Sequence, residues 1–438
     1  MKEALLHYVW KTKSFSYSDL YTTEGESCKI ENFGIYNENA GPDFLEGKVI
    51  IDDTRWAGHI EMHILSSDWI KHSHSEDSAY DNVILHVVWE EDQIIYRSDG
   101  SRIPCIEMKF LISDFLIEGY QRFMSRLNQI PCAEEIQKGD YELFYFHLNR
   151  MLIERLETKA YPLALELEDN KMDWSQLLFL LIAKSLGLKV NANAMESLAR
   201  KTPYKLLLKH RDNLHQLEAL LFGQAGMLTG DYDDKYPLAL KREYNFLSKK
   251  YQLNPLTGVQ WKLLRMRPVG FPTIRIAQLA DLYFLKDNLH QNVLKSESIQ
   301  DLERLLTAQA STYWDQHYLF DKESDFVSKP IGKDKKNSII INAIIPFLFA
   351  YGHHRSEDQY IHKALDLLNQ LAPEKNAIIR LWNNLGVKPD TAYQSQALIH
   401  LYKSYCSQGR CLQCPYGNHV LKKISNAVFL ESETKYAR

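Results

Sequence analysis

The sequence predicts an α+β protein, with a mixed α/β N-terminal part followed by a large all-helical region. Short alternating or continuous apolar runs, typical of strands, occur between residues 28 and 110. From about Gly139 onward, apolar residues instead recur every three or four positions over long segments, as amphipathic helices require. The chain has 438 residues, 45% hydrophobic and 25% charged, which is enough for two or three domains. We expect a mixed α/β domain over 1–135, a helical domain over 136–330 and a C-terminal helical region over 331–438.

The N-terminal part begins with a predicted helix, Glu3–Lys11, and continues mainly as strands. The predicted strands are Cys28–Ile35, Phe44–Ile51, Ala57–Leu65, Val83–Trp89, Ile94–Tyr96 and Ile103–Phe110. Alternation in the third strand puts His59, Glu61 and His63 on one face of the sheet. The continuous apolar run Val83–Trp89, interrupted by His86, indicates a buried central strand. The polar stretch between these two strands, residues 66–82, is expected to be helical in part.

The remainder of the chain is predicted to be helical. The predicted helices are Tyr141–Thr158, Trp174–Leu186, Met195–Arg200, Leu214–Leu228, Tyr236–Tyr251, Ser296–Asp315, Ile339–Tyr351, Glu357–Leu371 and Thr391–Ser407. Asp173 precedes one helix as a typical N-cap, and Gly187 follows its end. Residues 326–337, with a proline, a glycine and a run of charges, are expected to form an exposed connection.

Composition and charge exclude several classes of protein. The formal net charge of −4 gives no global attraction to nucleic acid, so binding it would require a local basic face. The N-terminal residues are too few and too charged for a signal peptide, and no apolar run reaches the ~20 residues that span a bilayer. Six cysteines, three of them near the C-terminus, do not resemble a disulfide framework. These features predict a cytoplasmic protein without a membrane partner.

Acidic and histidine side chains are concentrated between residues 43 and 86. Asp43 comes just before one predicted strand, while Glu61 and His63 share a face of the next strand. If the two strands pair in antiparallel fashion, the carboxylates come together and can hold Mg²⁺ or Mn²⁺. A bound cation would polarise a phosphodiester and activate a water, with His63 assisting the attack. We therefore predict Asp43, Glu61 and His63 as catalytic residues, the first two as metal ligands.

The order helix, three strands, helix, strand over residues 3–89 resembles the PD-(D/E)XK, or restriction-endonuclease-like, nuclease core. Pro42-Asp43 matches the first signature of that family, and Glu61-Met62-His63 matches its Glu-x-Lys with histidine in the lysine position. The acid found in the first helix of some members corresponds to Glu3. The resemblance implies a metal-dependent phosphodiester hydrolase whose lysine is replaced.

The whole chain is also similar to a bacterial family of unknown function. The stretches that carry this similarity are Asn37–Phe44, Gly58–His63, Ser67–Trp69, Asn82–Val88, Leu220–Leu228 and Arg265–Gln278. The similarity implies one coherent full-length protein and assigns no chemistry.

Structural interpretations compete with the catalytic one. Gly41-Pro42-Asp43 also suits a simple turn, and Glu61 and His63 also suit the solvated face of an edge strand. His72-Ser73-His74 either binds a metal together with Asp77 or forms a polar loop. His86 is expected to be a core histidine with a satisfied hydrogen bond.

Three cysteines form a second group near the C-terminus. Cys406, Cys411 and Cys414 include a Cys-x-x-Cys step, whose two thiolates can reach one metal ion. Zinc is favoured over an iron–sulfur cluster, and the fourth ligand is either His419 or a distant cysteine: Cys28, Cys105 or Cys132. The layout of one distant and three late cysteines is loosely similar to that of PD-(D/E)XK nucleases that bind an iron–sulfur cluster, although the spacing differs. The alternative is a group of free thiols.

A basic segment with aromatic residues lies in the middle of the chain. Its cations, Lys262, Arg265, Arg267 and Arg275, alternate with Trp261, Phe271 and prolines. Arginine with aromatic rings suits a nucleic-acid backbone and unstacked bases, whereas the alternative is a charged turn paired with the protein's own acids. Gly223-Gln224-Ala225-Gly226 indicates close helix packing, because it lacks the Lys-Ser/Thr of a phosphate-binding loop.

These observations support a metal-dependent nuclease-like protein that hydrolyses or binds nucleic acid. The rival hypothesis is a non-catalytic binding or scaffold protein, in which the nuclease-like domain is degenerate and the helical region docks a partner.

Overall fold

The computed structural model describes residues 2–37, 40–125, 130–138, 141–169, 173–258, 261–263, 267–286 and 288–424. The chain divides into two compact units. The first combines residues 1–147 with 401–438, and the second comprises residues 148–400. The segment that carries the three late cysteines therefore belongs with the sheet-containing unit. The three-part division predicted from the sequence stays a prediction.

The first unit is built around a mixed seven-stranded sheet. Its strands are β1 (Leu20–Tyr21), β2 (Ser27–Asn32), β3 (Ile35–Tyr36), β4 (Phe44–Ile51), β5 (Thr54–Leu65), β6 (Val83–Glu90) and β7 (Cys105–Glu107). The order is β1-β2-β4-β5-β6-β7, and β3 also pairs with β4. The pairs up to β4–β5 are antiparallel, whereas β5–β6 and β6–β7 are parallel. The long strands β5 and β6 are thus central.

Helices α1 (Glu3–Thr12) and α2 (Asp68–Lys71) of the first unit pack against strand β5, and most of the remaining helices belong to the second unit. The first unit also contains α3 (Asp114–Met124) and α4 (Ala133–Gln137). Then come α5 (Tyr141–Asp169), α6 (Trp174–Leu186), α7 (Ala192–Lys201), α8 (Tyr204–Lys209), α9 (Leu214–Gln224), α10 (Lys235–Tyr251), α11 (Pro272–Tyr283), α12 (Leu289–Lys295), α13 (Ile299–Leu305), α14 (Lys333–Ile339), α15 (Ile345–Arg355), α16 (Asp358–Gln370), α17 (Ala377–Asn384) and α18 (Ala392–Ser404). A short hairpin, β8 (His317–Leu319) with β9 (Lys322–Glu323), interrupts them. The α+β architecture predicted from the sequence is confirmed.

Local signals in the helical unit act as predicted. The Asp173 carboxylate caps α6 by accepting hydrogen bonds from the backbone N–H groups of Ser175 and Gln176. A Cβ atom added to Gly223 would lie 2.0 Å from the Tyr244 ring, so α9 and α10 approach too closely for any other residue. This confirms the prediction of tight helix packing at that glycine.

Three predictions of local structure are wrong in extent. Of the predicted strand Ile103–Phe110, only β7 is a strand in the structure. The predicted strand Ile94–Tyr96 is not a strand and contributes one isolated β-bridge, between Tyr96 and Arg102. The predicted helix 296–315 ends at Leu305, because the following backbone pairs with residues near 330 instead, as in the hydrogen bond from Ala310 N–H to the Lys329 carbonyl.

The predicted exposed connection over residues 326–337 is also different. Lys329 and Lys335 are buried there, and α14 begins at Lys333. The Lys329 ammonium donates to the carbonyl oxygens of Trp314, Asp315 and Val327, so it replaces water with backbone partners.

The segment Ile339–Tyr351 is a buried helix, as expected. It runs from the end of α14 through a π-helical turn, Ile340–Ile344, into α15. No helix among the described residues has the length and apolar character needed to cross a membrane.

The buried carboxyl group of Glu218 on α9 makes stability depend on pH. Burial raises the pKa of Glu218 to about 7, despite hydrogen bonds from Ser311 and Tyr236. In the unfolded chain the group ionises near 4.5, so the free energy of unfolding should fall as pH rises from about 4.5 to about 7. Between about pH 5 and about pH 8, the wild type should lose on the order of 1–3 kcal/mol of unfolding free energy through this group. We expect Glu218→Gln to lack this loss, as measured by denaturant unfolding at the two pH values.

The matched control is Glu323→Gln, an exposed carboxylate in the same unit. An unfolding free energy that falls equally with pH in the wild type and in Glu218→Gln would contradict this account.

Candidate metal centre

A bulge in β4 sets the direction of the Asp43 side chain. Phe44 pairs with Ile60 and Gly47 pairs with Gly58. Between these two pairs β4 spans three residue steps and β5 only two, so β4 contains one extra residue. The extra residue is accommodated with Glu46 at a φ of 58°. Without it Asp43 would come opposite Met62, on the apolar face of β5; with it, Asp43 comes opposite Glu61.

Asp43 and Glu61 are joined by two reciprocal hydrogen bonds. The Asp43 backbone N–H donates to Glu61 Oε2 at 3.0 Å, and the Met62 backbone N–H donates to Asp43 Oδ2 at 3.0 Å. Both carboxylates are therefore fixed by the backbone of the neighbouring strand. The prediction that the two strands would bring them together agrees with this geometry, and β5 is central, so Glu61 and His63 do not lie on an edge strand.

Helix α1 brings two more titratable side chains to the same place. Glu3 and His7 lie one helical turn apart, and His7 Nε2 is 3.1 Å from Asp43 Oδ2. Glu3 lies close enough to interact electrostatically with His7, Asp43 and Glu61. The early-helix acid anticipated at Glu3 thus stands beside the carboxylate pair.

Four histidines surround Glu61 on its other side. His63 Nδ1 lies 2.8 Å from His86 Nε2 on β6, and His63 Nε2 lies 3.1 Å from His72 Nδ1. Glu61 Oε1 is 3.7 Å from His63 Nε2 and 3.4 Å from His74 Nε2. One potential ligand atom from each of His63, His72 and His74 lies within 4.8 Å of the others.

Trp69 holds the histidine rings in place. This buried side chain on α2 packs edge-on against His74 and His86, each with ring centroids 5.4 Å apart, and its Nε1 donates to Ser75 Oγ at 3.1 Å. His74 also stacks on Tyr80 at 3.8 Å. Short helical turns over residues 68–80 therefore position His72 and His74 by aromatic packing.

Burial dominates the electrostatics of this cluster. It lowers the pKa of His63 to about 2 and that of His86 to about 3, with the neighbouring imidazoles adding to the shift. Both rings are consequently neutral at physiological pH. Burial also raises the pKa of Glu61, although His74 opposes the rise. Burial alone would lower the pKa of His7, but the adjacent Asp43 carboxylate outweighs it and the net shift is upward.

The donor set fits a divalent cation. The Nε2 atoms of His7 and His74 are buried, and their nearest polar neighbours are carboxylate oxygens, Asp43 Oδ2 at 3.1 Å and Glu61 Oε1 at 3.4 Å. Two imidazole nitrogens and two carboxylates thus face one another, which is a set of atoms that can coordinate one cation. Neutral imidazoles and carboxylates are the forms that bind metal ions.

Sequence reasoning located the carboxylates but missed part of this centre. His7 was not considered, and Asp77 is not the partner of His72 and His74, because its carboxylate caps the turn Ser78–Tyr80. The third histidine of that group is His63. The i, i+4 spacing of Glu3 and His7 on a predicted helix was the available signal. His86 has the satisfied hydrogen bond that was expected.

The C-terminal cysteines gather around a distant one. Cys132 interacts electrostatically with Cys406, Cys411 and Cys414, and none of the six cysteines forms a disulfide. Burial, together with the neighbouring Cys414, raises the pKa of Cys411 to about 12. Cys28 and Cys105 lie instead on β2 and β7 of the sheet. Of the distant cysteines considered, Cys132 is the one near this group.

The basic residues of the middle segment do not form one exposed surface. Lys262 and Arg267 are exposed, Arg275 is buried on α11, and Arg265 lies outside the described residues. Within the described part of the chain, none of these three cations forms an ion pair with an acid.

Comparison with known proteins identifies a family without assigning an activity. A family model described as "Protein of unknown function (DUF2851)" matches residues 3–377. The chain belongs to this family. The match spans the metal-centre residues from Glu3 to His86 and includes Cys132, while Cys406, Cys411 and Cys414 lie beyond it. No curated protein and no solved structure matches this DUF2851 chain.

Proposed function

We propose that this DUF2851 protein is a metal-dependent phosphodiesterase of the nuclease type, acting on nucleic acid. Asp43 and Glu61 would be the carboxylate ligands of a divalent cation. The observation that carries this proposal is their reciprocal pairing across β4 and β5, next to the buried imidazole nitrogens of His7 and His74.

The order of elements gives independent support. Helix α1, the antiparallel strands β2, β4 and β5, the helical turns over residues 68–80 and strand β6 follow the sequence of elements in the PD-(D/E)XK core. By that resemblance, Glu3, Asp43, Glu61 and His63 would correspond to successive signature positions of the family, with His63 in the place of its lysine. The strand bulge that aligns Asp43 with Glu61 is also a device common near active sites.

The mixed ligand set favours Mn²⁺ over Mg²⁺. Magnesium prefers oxygen ligands and retained waters, whereas imidazole suits transition metals. With His63, His72 and His74 near Glu61, a site that uses nitrogen as well as oxygen is the better chemical fit.

The side chains divide the work of hydrolysis. A bound divalent cation supplies charge to the phosphate and lowers the pKa of a water. Asp43 and Glu61 hold their positions through backbone hydrogen bonds, so they need no reorganisation during the reaction. His63 is neutral, and because burial lowers its pKa to about 2 it is a weak base, so it would help to position the attacking water beside Glu61 and would not take its proton.

One observation favours the alternative of a non-catalytic binding or scaffold protein. His63 stands where the family resemblance implies a lysine, and its lowered pKa means that it carries no positive charge at neutral pH. A degenerate nuclease-like domain would keep the metal centre for stability while the helical region docks a partner. The two functions differ in whether a metal-loaded protein cleaves any phosphodiester.

The nuclease proposal predicts the behaviour of two isosteric variants. Purified full-length protein with Mn²⁺ should cleave single-stranded DNA, double-stranded DNA or RNA in a gel assay. We expect Asp43→Asn and Glu61→Gln to reduce cleavage by about 100-fold or more, since each removes a charged ligand but keeps hydrogen-bond acceptors. Mn²⁺ affinity, measured by calorimetry, should fall in parallel.

Asp53→Asn is the matched control, because Asp53 is an exposed carboxylate in the turn between the same two strands. Cleavage by Asp43→Asn and Glu61→Gln equal to that of the wild type would refute the site. Tight Mn²⁺ binding by a wild type that cleaves none of the substrates would favour the scaffold alternative.

We also propose a structural metal site formed by Cys132, Cys406, Cys411 and Cys414. Three of these thiols are buried and the fourth is half-buried, and a cation would convert the raised-pKa thiols into paired thiolates. Zinc fits four thiolates with no redox requirement, and an iron–sulfur cluster is the alternative occupant.

Metal analysis of the purified protein tests this cysteine site. We expect about one equivalent of zinc in the wild type, lost together with thermal stability in Cys132→Ser and in Cys411→Ser. Cys105→Ser, at a buried cysteine on β7, should keep the metal. Zinc content unchanged in Cys132→Ser would exclude that residue as the fourth ligand.

A further inference from the structure

A cavity of about 760 Å³ lies within the helical unit, away from the residues of the metal centre. The turn after α6, the short turn Pro268–Gly270, helix α11 and the start of α14 line it, and it is open to solvent. Its apolar walls come from Leu188, Val190, Val269 and Pro330. The volume is in the range of cavities that hold small organic molecules.

Cations dominate the polar part of the same cavity. They are Arg267, Arg275, Lys333 and Lys335, against one exposed acid, Asp334. Arg275 and Lys335 are each 8% exposed, and neither forms an ion pair with an acid of the described residues. The cavity therefore has an excess of positive charge that the surrounding protein does not neutralise.

Arg275 has unused hydrogen-bonding capacity at this cavity. Its Nη1 donates to Gln278 Oε1 at 2.8 Å, but its buried Nε makes no hydrogen bond. Lys335 Nζ donates to the Ser185 carbonyl oxygen. Burying an unpaired guanidinium costs free energy, and the charge is compensated when an anion supplies the missing acceptors.

The buried charges also disfavour each other. Burial lowers the pKa of Arg275 to about 10 and that of Lys335 to about 7, and the nearby Arg275 adds to the Lys335 shift. An anion bound between the two groups would remove this conflict. A second cavity of about 620 Å³ shares Leu188 and Lys335 with the first and adds Lys159 and Lys189, together with Lys184, which is paired with Glu196.

We propose that this cavity binds a phosphate ester, with Arg275 and Lys335 contacting the phosphate and the apolar walls contacting the organic group. The planar guanidinium offers donors that match phosphate oxygens, and a compact ammonium adds a point charge. An ester is favoured over inorganic phosphate because Leu188, Val190 and Val269 offer apolar surface that phosphate alone leaves uncovered.

Isothermal titration calorimetry on the full-length protein tests this site, with phenyl phosphate, inorganic phosphate and a dinucleotide as probes. We expect phenyl phosphate to bind more tightly than inorganic phosphate. Arg275→Met and Lys335→Met should weaken its binding by roughly tenfold or more, because each removes a charge-assisted hydrogen bond. Arg380→Gln, at an exposed cation of the same unit outside the cavity, should bind normally.

Two further measurements separate binding from a structural role. Without ligand, Arg275→Met should melt at the same temperature as the wild type or higher, since a buried unpaired charge has been removed. Val269→Glu, at an exposed wall position, should fold normally yet repel the phosphate ester. Displacement of phenyl phosphate by the dinucleotide would identify the bound ester as a diester of nucleic-acid type, and failure to displace it would identify a monoester.

Binding of phenyl phosphate by Arg275→Met or Val269→Glu as tight as by the wild type would overturn the proposal. Failure of the wild type to bind any of the three probes would do the same.

Discussion

The register between β4 and β5 is the constraint on which the proposed metal centre depends. A single extra residue near Glu46 moves Asp43 from the apolar face of the sheet to the face of Glu61. The two reciprocal hydrogen bonds then fix both carboxylates, because each acid accepts a backbone N–H of the opposite strand. The contact of His7 with Asp43 and those of His63 and His74 with Glu61 are made to carboxylates held in this way.

Burying several imidazoles at this site costs free energy, and the packing around the rings holds them in fixed positions. Buried imidazoles lose hydration, and His63 and His86 remain neutral as a result. Trp69 offsets part of that cost by packing against the rings, and the chain of contacts from His86 through His63 to His72 satisfies most ring nitrogens. The Nε2 atoms of His7 and His74 face the carboxylates of Asp43 and Glu61, which is the arrangement that a cation would complete.

Much of the frame was predictable from the sequence, because long strands and helices carry a strong period. Strands β4 and β6 and helix α6 appear where alternation, continuous apolarity and the Asp173 cap indicate. The bulge was not predictable, since a single extra residue produces no recognisable pattern in the sequence. The positions of His72 and His74 were not predictable either, because they depend on ring packing in short turns. Arg275 on α11 looked like part of a basic surface, but periodicity does not show that its helix is buried on nearly every side.

An anomalous diffraction experiment on crystals soaked in Mn²⁺ tests the central claim most directly. The account predicts a peak within about 2.0–2.4 Å of carboxylate oxygens of Asp43 and Glu61, with at least one of His7, His63 or His74 as a further ligand. A map from fully soaked crystals with no peak beside these carboxylates would contradict it.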